Sequence, residues 1–188
     1  MTALRVPPSA SDPDVGPVLC AAASALLVIE GIAGLDAERV DEEADLPPGT
    51  CAGRYHSRAE LIAAMLESEA AGYWSAFDAI VAKHRGDRAA ALAAWVAFLM
   101  GPGRARTSAL WAIGFDAGTR RESNMYVNAL LAGWDREIAK RFGLTPRQLR
   151  LAWPMVEGWA MHGIVRDAPP PDVRMLREQF RALLDRTA

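Results

Sequence analysis

Apolar residues recur every three or four positions through most of the chain, which is the spacing that places them on one face of an α-helix. The longest such set predicts a helix ending near residues 84–87 and consists of Ile62, Met65, Leu66, Tyr73, Phe77, Ile80 and Val81. Further sets predict helices through the rest of the chain. The chain has no sustained alternating run and no Asn-Gly or Asp-Gly dipeptide, which are the patterns that mark strands and hairpins. The pattern therefore predicts an all-α protein of about nine helices.

Short capping motifs predict where several of these helices begin. A hydroxyl residue followed three positions later by Glu or Gln forms a capping box, which occurs at Ser57/Glu60, Thr119/Glu122 and Thr145/Gln148. Asp36 is a further candidate cap. We expect the last two helices to span Thr145 to about Asp167 and Asp172 to Thr187. The first of these should be kinked near Pro154, because proline has no N–H to donate to the helix backbone.

Composition places the chain among ordinary globular proteins. It has 188 residues, of which 51% are hydrophobic and 23% charged. No apolar run reaches the roughly 18 residues of a membrane span, and the start lacks the features of a secretory signal. The first 14 residues, rich in Pro, Ser and Asp, predict a disordered tail. With two cysteines and no metal-ligand spacing, we expect a cytoplasmic protein without cofactor or metal.

Charge is unevenly distributed. Residues 1–66 contain four basic and ten acidic side chains, although the whole chain carries a net charge of only −2. A DNA-binding segment ordinarily has a basic footprint. The acidic residues Asp41, Glu42, Glu43 and Asp45 are interpreted as a solvated helix face, because consecutive helical residues point in different directions.

The first 67 residues carry a recognisable order of motifs. Residues 18–32 (VLCAAASALLVIEGI) form an apolar helix, residues 36–44 a second helix, and residues 47–55 (PPGTCAGRY) a third, followed by Ser57, Arg58 and Leu61. This order resembles the TetR family of bacterial transcriptional regulators, in which Gly49, Thr50 and Tyr55 match the third-helix pattern. Pro47, Asp45 and Ala52 depart from it.

The resemblance implies a domain organisation and a mode of DNA binding. Residues 15–56 would be a helix-turn-helix domain, and residues 57–188 a body that binds a ligand and dimerises. The third helix of such a domain enters the major groove of an operator. The implied DNA-binding residues are Arg39, Pro48, Gly49, Thr50, Arg54, Tyr55 and Arg58. Thr50 is expected to reach a phosphate or thymine methyl, and Arg54 a guanine edge or phosphate.

All six tryptophans follow residue 70, in the part that would form the body. An aromatic, apolar pocket with few charges favours a small, neutral, hydrophobic effector. The expected lining residues are Trp95, Phe98, Trp111, Phe115, Tyr126, Trp134 and Trp159. Ordinary core packing is the alternative for any one of them.

The last two helices are expected to pair with those of a second copy as a four-helix bundle. The penultimate helix has one apolar face at Met155, Gly158, Met161, His162 and Val165 and another at Trp153, Val156, Ala160 and Ile164, so it needs partners on two sides. The expected dimer interface comprises Met155, Gly158, His162, Leu176, Phe180 and Leu183.

The function expected from these features is that of a dimeric, ligand-responsive, DNA-binding regulator, most simply a repressor released by its effector. The acidic N-terminal segment keeps a second interpretation open, namely a ligand-binding or protein-interacting dimer that has lost DNA binding. No nucleophile–base pair or metal-ligand set indicates an enzyme.

Overall fold

The computed structural model describes residues 15–115 and 133–187, and within these ranges every regular element is a helix. The all-α prediction is therefore confirmed. The elements are α1 (Val15–Glu30), a 3-10 turn (Ile32–Gly34), α2 (Ala37–Glu43), α3 (Thr50–Arg54), α4 (Arg58–Lys83), α5 (Arg88–Met100), α6 (Arg104–Phe115), α7 (described over residues 133–142), α8 (Pro146–Val165) and α9 (Val173–Asp185).

The predicted helix starts can be checked bond by bond. Asp36 caps α2 by accepting the backbone N–H of Glu38. Thr145 and Gln148 form the reciprocal bonds of a capping box at α8, which continues through Pro154 as one helix. At α4, Ser57 accepts the N–H of Glu60, but the Glu60 carboxylate accepts the N–H of His56 rather than that of Ser57. The motif at Thr119/Glu122 lies outside the described residues.

The described chain divides into two units. The first contains residues 15–70 and 109–115, and the second contains residues 71–108 and 133–187. In the first unit α1 packs on α2, and α2 packs on α3. Its core includes side chains that are 0–1% exposed, among them Leu19, Leu27, Val40, Cys51 and Ile62.

In the second unit α5 packs against α8 and α9, which also contact each other. Leu92, Val96, Val156, Leu176 and Phe180 are completely buried where these helices meet. The apolar stripe of α9 therefore serves the core of its own unit. This differs from the expectation that Leu176 and Phe180 contact a second copy, because a side chain with no exposed surface has none to offer a partner.

An acidic side chain joins the start of α5 to α9. Asp87 caps α5 by accepting the N–H of Ala90, and its carboxylate also forms ion pairs with Arg177 and Arg181 of α9. The backbone hydrogen bond from Ala90 and the two guanidinium groups lower the pKa of Asp87 below its usual value, against a smaller opposing effect of burial.

Candidate functional site

The third helix is anchored by a buried carboxylate. Asp41 of α2 is 2% exposed. Its Oδ2 accepts the N–H of Gly49 at 2.8 Å, and its Oδ1 accepts the N–H of Cys51 at 2.7 Å. These N–H groups belong to the first turn of α3, where no intrahelical acceptor exists. The interpretation of Asp41 as part of a solvated acidic face is therefore wrong. Asp41 is buried and holds α3 on α2.

The turn between α2 and α3 has the geometry that its residues permit. Asp45 adopts a φ of 52° and Gly49 a φ of 88°, both in the left-handed region. Glycine adopts this conformation without strain, and Asp tolerates it better than most residues. Asp45 therefore fills a turn position that favours glycine, while the backbone N–H groups at the start of α3 are bound by Asp41.

Thr50 does not face solvent. It is 6% exposed, and its hydroxyl donates to the carbonyl of Pro47 at 2.6 Å. A side chain whose proton is already donated inside the turn, and whose surface is buried, is not presented to a DNA groove. The structure thus differs from the role expected of Thr50, while Pro48, Gly49 and Arg54 are exposed.

The three arginines expected to bind DNA have different surroundings. Arg39 forms ion pairs with Glu30 and Glu42, so its charge is neutralised within the unit. Arg54 lies over the ring of Tyr55 with its Cζ 5.6 Å from the ring centroid. Within the described residues Arg54 and Arg58 have no carboxylate within ion-pair distance, and both are exposed. These two are therefore the basic groups that α3 and the first turn of α4 offer to a ligand.

Tyr55 points its hydroxyl inward rather than toward solvent. The Oη atom lies 3.6 Å from Sγ of Cys20 on α1. Burial raises the pKa of Cys20, of Tyr55, and of Cys51, the last to about 11. All three groups are consequently neutral near pH 7, and Tyr55 acts as a packing residue between α1 and α3.

Aromatic rings of the second unit form a connected cluster, which we call the aromatic cluster. Tyr73 contacts Trp95, Phe98 and Trp134 edge to face, with ring centroids 5.7, 6.3 and 5.8 Å apart. Trp95 stacks on Phe98 at 5.0 Å. The remaining members are Trp74, Phe77 and Phe142. Three of the predicted pocket residues, Trp95, Phe98 and Trp134, are thereby brought together.

The other predicted pocket residues are not in this cluster as described. Trp159 lies half-buried on α8, and none of the ring contacts in the described ranges includes it. Trp111 lies half-buried on α6, in the other unit. Tyr126 and the side chain of Phe115 lie outside the described residues. Tyr73 and Phe77 were predicted only as part of a helix face, and Trp74 only as one of the six tryptophans of the body.

Charged and polar groups border the aromatic cluster. Arg106 lies over the ring of Tyr73 and Arg141 over that of Trp74, with Cζ atoms 5.7 and 4.8 Å from the ring centroids. The hydroxyl of Tyr73 lies 2.6 Å from that of Thr107. Over the described ranges, Nε1 of Trp95 is the buried side-chain nitrogen or oxygen that lacks a hydrogen-bond partner.

The expected dimer residues divide between core and surface. Gly158 and His162 are exposed, Met155 and Leu183 are half-buried, and Leu176 and Phe180 are completely buried. Leu151 was not among the residues expected at the dimer interface. It is 46% exposed, and together with Gly158 and Val165 it forms a line of positions seven residues apart along α8.

The described residues lack two further kinds of feature, a metal-binding cluster and a membrane-spanning helix. No group of three or more His, Cys, Asp or Glu side chains in that part of the chain is arranged to hold a metal ion. None of the described helices combines the length and apolar character needed to cross a membrane.

Comparison with solved structures identifies the fold. No protein-family model and no curated protein matches the chain. A member of the TetR family from Streptomyces coelicolor A3 (SCO1917) superposes with a TM-score of 0.76 at 23% identity, over 91% of this chain and 98% of that one. The multidrug binding protein EbrR superposes with TM-scores of 0.68 in its imidazole complex and 0.63 in its ethidium complex.

The two EbrR structures are 22% and 25% identical to this chain, and cover 93% and 92% of it and 92% and 99% of their own length. The similarity therefore extends over nearly the whole protein in each case. The chain has a TetR-like fold, which confirms the resemblance seen in its first 67 residues at the level of the fold.

Proposed function

We propose that this protein is a dimeric transcriptional regulator that binds operator DNA through α3 and Arg58, and that a small apolar effector in its body controls this binding. The TetR-like fold supports the proposal as a whole. The observation that carries it is the anchoring of α3 by Asp41, which fixes an exposed Arg54 without a carboxylate partner. An unfixed five-residue helix would have no stable register on DNA, because so short a helix is not stable alone.

The proposed DNA contacts differ from those that the sequence predicted. Arg54 and Arg58 supply the positive charge, and the backbone around Pro48 and Gly49 is exposed beside them. Thr50 and Tyr55 support the helix from within. Because most of the charge comes from two side chains per protomer, electrostatic attraction to DNA should be weak for a regulator of this size.

A specific observation favours the second candidate function, a TetR-like dimer that no longer binds DNA. Arg39 is neutralised by Glu30 and Glu42, and acidic residues outnumber basic ones in this segment. A protein of this kind would retain ligand binding and dimerisation and would respond through a protein partner.

Dimerisation is proposed from the outer face of α8. Leu151, Met161 and Val165 are 46%, 40% and 78% exposed, and an added Cβ at Gly158 would meet no atom within 4 Å. Exposed apolar side chains in a continuous line indicate a surface that another apolar surface covers. A second copy of α8, related by a two-fold axis, supplies such a surface.

The effector is proposed to bind at the aromatic cluster. EbrR, with a similar fold, has been crystallised with imidazole, proflavin and ethidium. An effector with higher affinity for one conformation of the dimer shifts the population toward that conformation, and DNA is released if the favoured conformation does not fit the operator.

Fluorescence anisotropy with a labelled duplex from upstream of the protein's own gene tests the proposal. Wild-type protein should bind it more tightly than a random duplex of equal length at the same salt concentration. Equal affinity for the two duplexes, in a preparation that is dimeric by sedimentation and binds apolar compounds by tryptophan fluorescence, would support the second candidate function instead.

A further inference from the structure

The indole nitrogen of Trp95 is a hydrogen-bond donor that the folded protein leaves unused. Trp95 is 4% exposed, and its Nε1 atom has no partner within the described part of the chain. Buried polar groups are nearly always paired, since an unpaired donor loses its bond to water and receives nothing in exchange. Such an atom calls for a functional explanation.

The neighbouring hydroxyl groups are already committed. Thr107 donates its proton to the carbonyl of Gly103 at 2.9 Å, so the contact between Tyr73 and Thr107 uses the proton of Tyr73. The hydroxyl protons of Tyr73 and Thr107 are therefore already used in hydrogen bonds. The indole N–H of Trp95 is not, so it is available to a ligand.

The rings around Trp95 define the direction from which an acceptor approaches. Phe98 stacks on one face of the indole, with an angle of 17° between the rings, while Tyr73 and Phe77 contact it edge to face. The N–H bond lies in the plane of the indole ring. A ligand therefore meets this donor at the ring edge, in that plane, with its apolar part among the other rings.

The charges beside the cluster select against a cation. The guanidinium groups of Arg106 and Arg141 already lie over Tyr73 and Trp74, which are aromatic surfaces that would otherwise attract a cationic ligand. Arg141 also pairs with Asp78 and Glu137, so its charge is balanced and its effect here is to cover the face of Trp74. A neutral ligand does not depend on these two ring faces.

We infer that the effector of this protein is a neutral, mostly apolar molecule with a hydrogen-bond acceptor at its edge, and that Trp95 Nε1 donates to this acceptor. The inference rests on the proposed function, because it takes the aromatic cluster as the effector site. It adds that Trp95 determines specificity by distinguishing ligands with an acceptor from ligands of the same shape without one.

Three probes of nearly equal shape test the inference. Quinoline has a ring-nitrogen acceptor, naphthalene has none, and N-methylquinolinium replaces the acceptor with a positive charge. Wild-type protein should bind quinoline about three- to tenfold more tightly than naphthalene, the range expected of one neutral hydrogen bond. It should bind N-methylquinolinium more weakly than either.

The variant Trp95→Phe removes the donor and should bring the quinoline-to-naphthalene affinity ratio close to one. The ratio is the quantity to compare, since the volume lost with the indole affects both probes alike. Trp153→Phe is the matched control, because the Nε1 of Trp153 already donates to Glu157 at 3.0 Å. This control should keep the wild-type ratio.

A measurement on the wild-type protein alone covers the case in which Trp95→Phe does not fold. With ¹⁵N-labelled protein, the assigned indole proton of Trp95 should move downfield when quinoline is added, because hydrogen bonding deshields the proton. It should not do so with naphthalene. An unchanged resonance at saturating quinoline would overturn the inference, as would a ratio that persists in Trp95→Phe.

The failures of the two proposals are distinguishable. Equal binding of quinoline and naphthalene by wild type leaves the effector site intact and overturns only the role of Trp95. Tighter binding of N-methylquinolinium than of quinoline likewise overturns the neutral ligand class. If neither neutral probe binds while operator DNA is still bound, both the effector site and the inference drawn from it are wrong.

Discussion

Asp41 on α2 holds α3 through the backbone of Cys51, whose N–H lies 2.7 Å from the Asp41 carboxylate although the two residues are ten positions apart. The second carboxylate oxygen accepts the N–H of Gly49. A single buried side chain thus provides acceptors for the first turn of the helix proposed to read DNA. This role combines those of a helix cap and a tertiary contact.

Asp41→Ala should destabilise the protein by about 2–3 kcal/mol, because it leaves two donors at the start of α3 without their charged acceptor. Urea unfolding followed by circular dichroism measures the change. Glu43→Ala on the same helix is the control, since Glu43 is exposed and should change stability by no more than about 0.5 kcal/mol. Equal effects of the two substitutions would show that Asp41 does not anchor α3.

Arg54→Ala should weaken binding to the operator by about 1–3 kcal/mol if Arg54 contacts a base edge. Arg85→Ala removes a different exposed arginine, in the second unit, and should leave the affinity unchanged. Anisotropy titrations at one fixed salt concentration compare the three proteins. An Arg54→Ala variant with wild-type affinity would remove α3 from the proposed interface.

The salt dependence of DNA binding should be shallow. Arg54 and Arg58 of two protomers give four basic side chains, and each phosphate contact contributes about −0.9 to the slope of log K against log salt, so we expect a slope near −4. Repeating the titration over a range of salt concentrations gives the slope. A value near −8 would mean that further basic groups, such as Arg39 released from Glu30 and Glu42, take part.

Val165→Asp and Leu151→Asp should each convert the dimer into a monomer, because a two-fold interface receives every new charge twice. Both side chains are exposed in the single chain, so folding should be retained. Ala79→Asp on the exposed face of α4 is the control and should remain dimeric. Sedimentation equilibrium at micromolar concentration distinguishes the monomer from the dimer. A monomeric wild-type protein would contradict the proposed interface. Phe180→Asp is unsuitable here, since it would place a carboxylate in the core.

Asp87→Asn should destabilise the protein at pH 7 by about 0.5–1 kcal/mol, since Asn preserves the cap but not the ion pairs with Arg177 and Arg181. The folded-state pKa of Asp87 is lowered, so its contribution is present above the unfolded pKa of about 3.9 and is lost as the pH falls through the folded value. The difference from wild type should therefore shrink as the pH falls below the unfolded pKa and through the lower folded pKa. Asp185→Asn, at an exposed position on α9, is the control and should change the stability at pH 7 by no more than about 0.5 kcal/mol.

Local chemistry explains which features could be predicted from the sequence. The caps at Asp36 and Thr145 depend on residues two or three positions away, so the motif contains all that the bond requires. The apolar spacing of α8 and α9 likewise predicted helices with buried faces. What spacing does not contain is the identity of the partner that buries a face, and for this reason Leu176 and Phe180 were expected at the dimer interface.

The site residues were harder to predict because their roles depend on neighbours distant in sequence. Thr50 is buried in a turn whose following helix is bound to Asp41 of α2, and the sequence of α3 alone does not indicate this. Asp41 itself lies in an acidic run that resembles a solvated face. The unpaired state of Trp95 depends on which acceptors the folded unit brings near its Nε1 atom, and residue spacing does not contain this information.

The buried thiol of Cys51 makes local opening of the first unit measurable by chemical modification. With a pKa of about 11, Cys51 has a thiolate population more than a thousandfold below that of the thiol at pH 7.5. Alkylating reagents attack the thiolate, so the folded three-helix region should react slowly. Any event that lifts α3 away from α1 and α2 restores an ordinary thiol at Cys51. The rate of alkylation at this residue therefore reports how often the proposed reading helix detaches, without an added label or substitution.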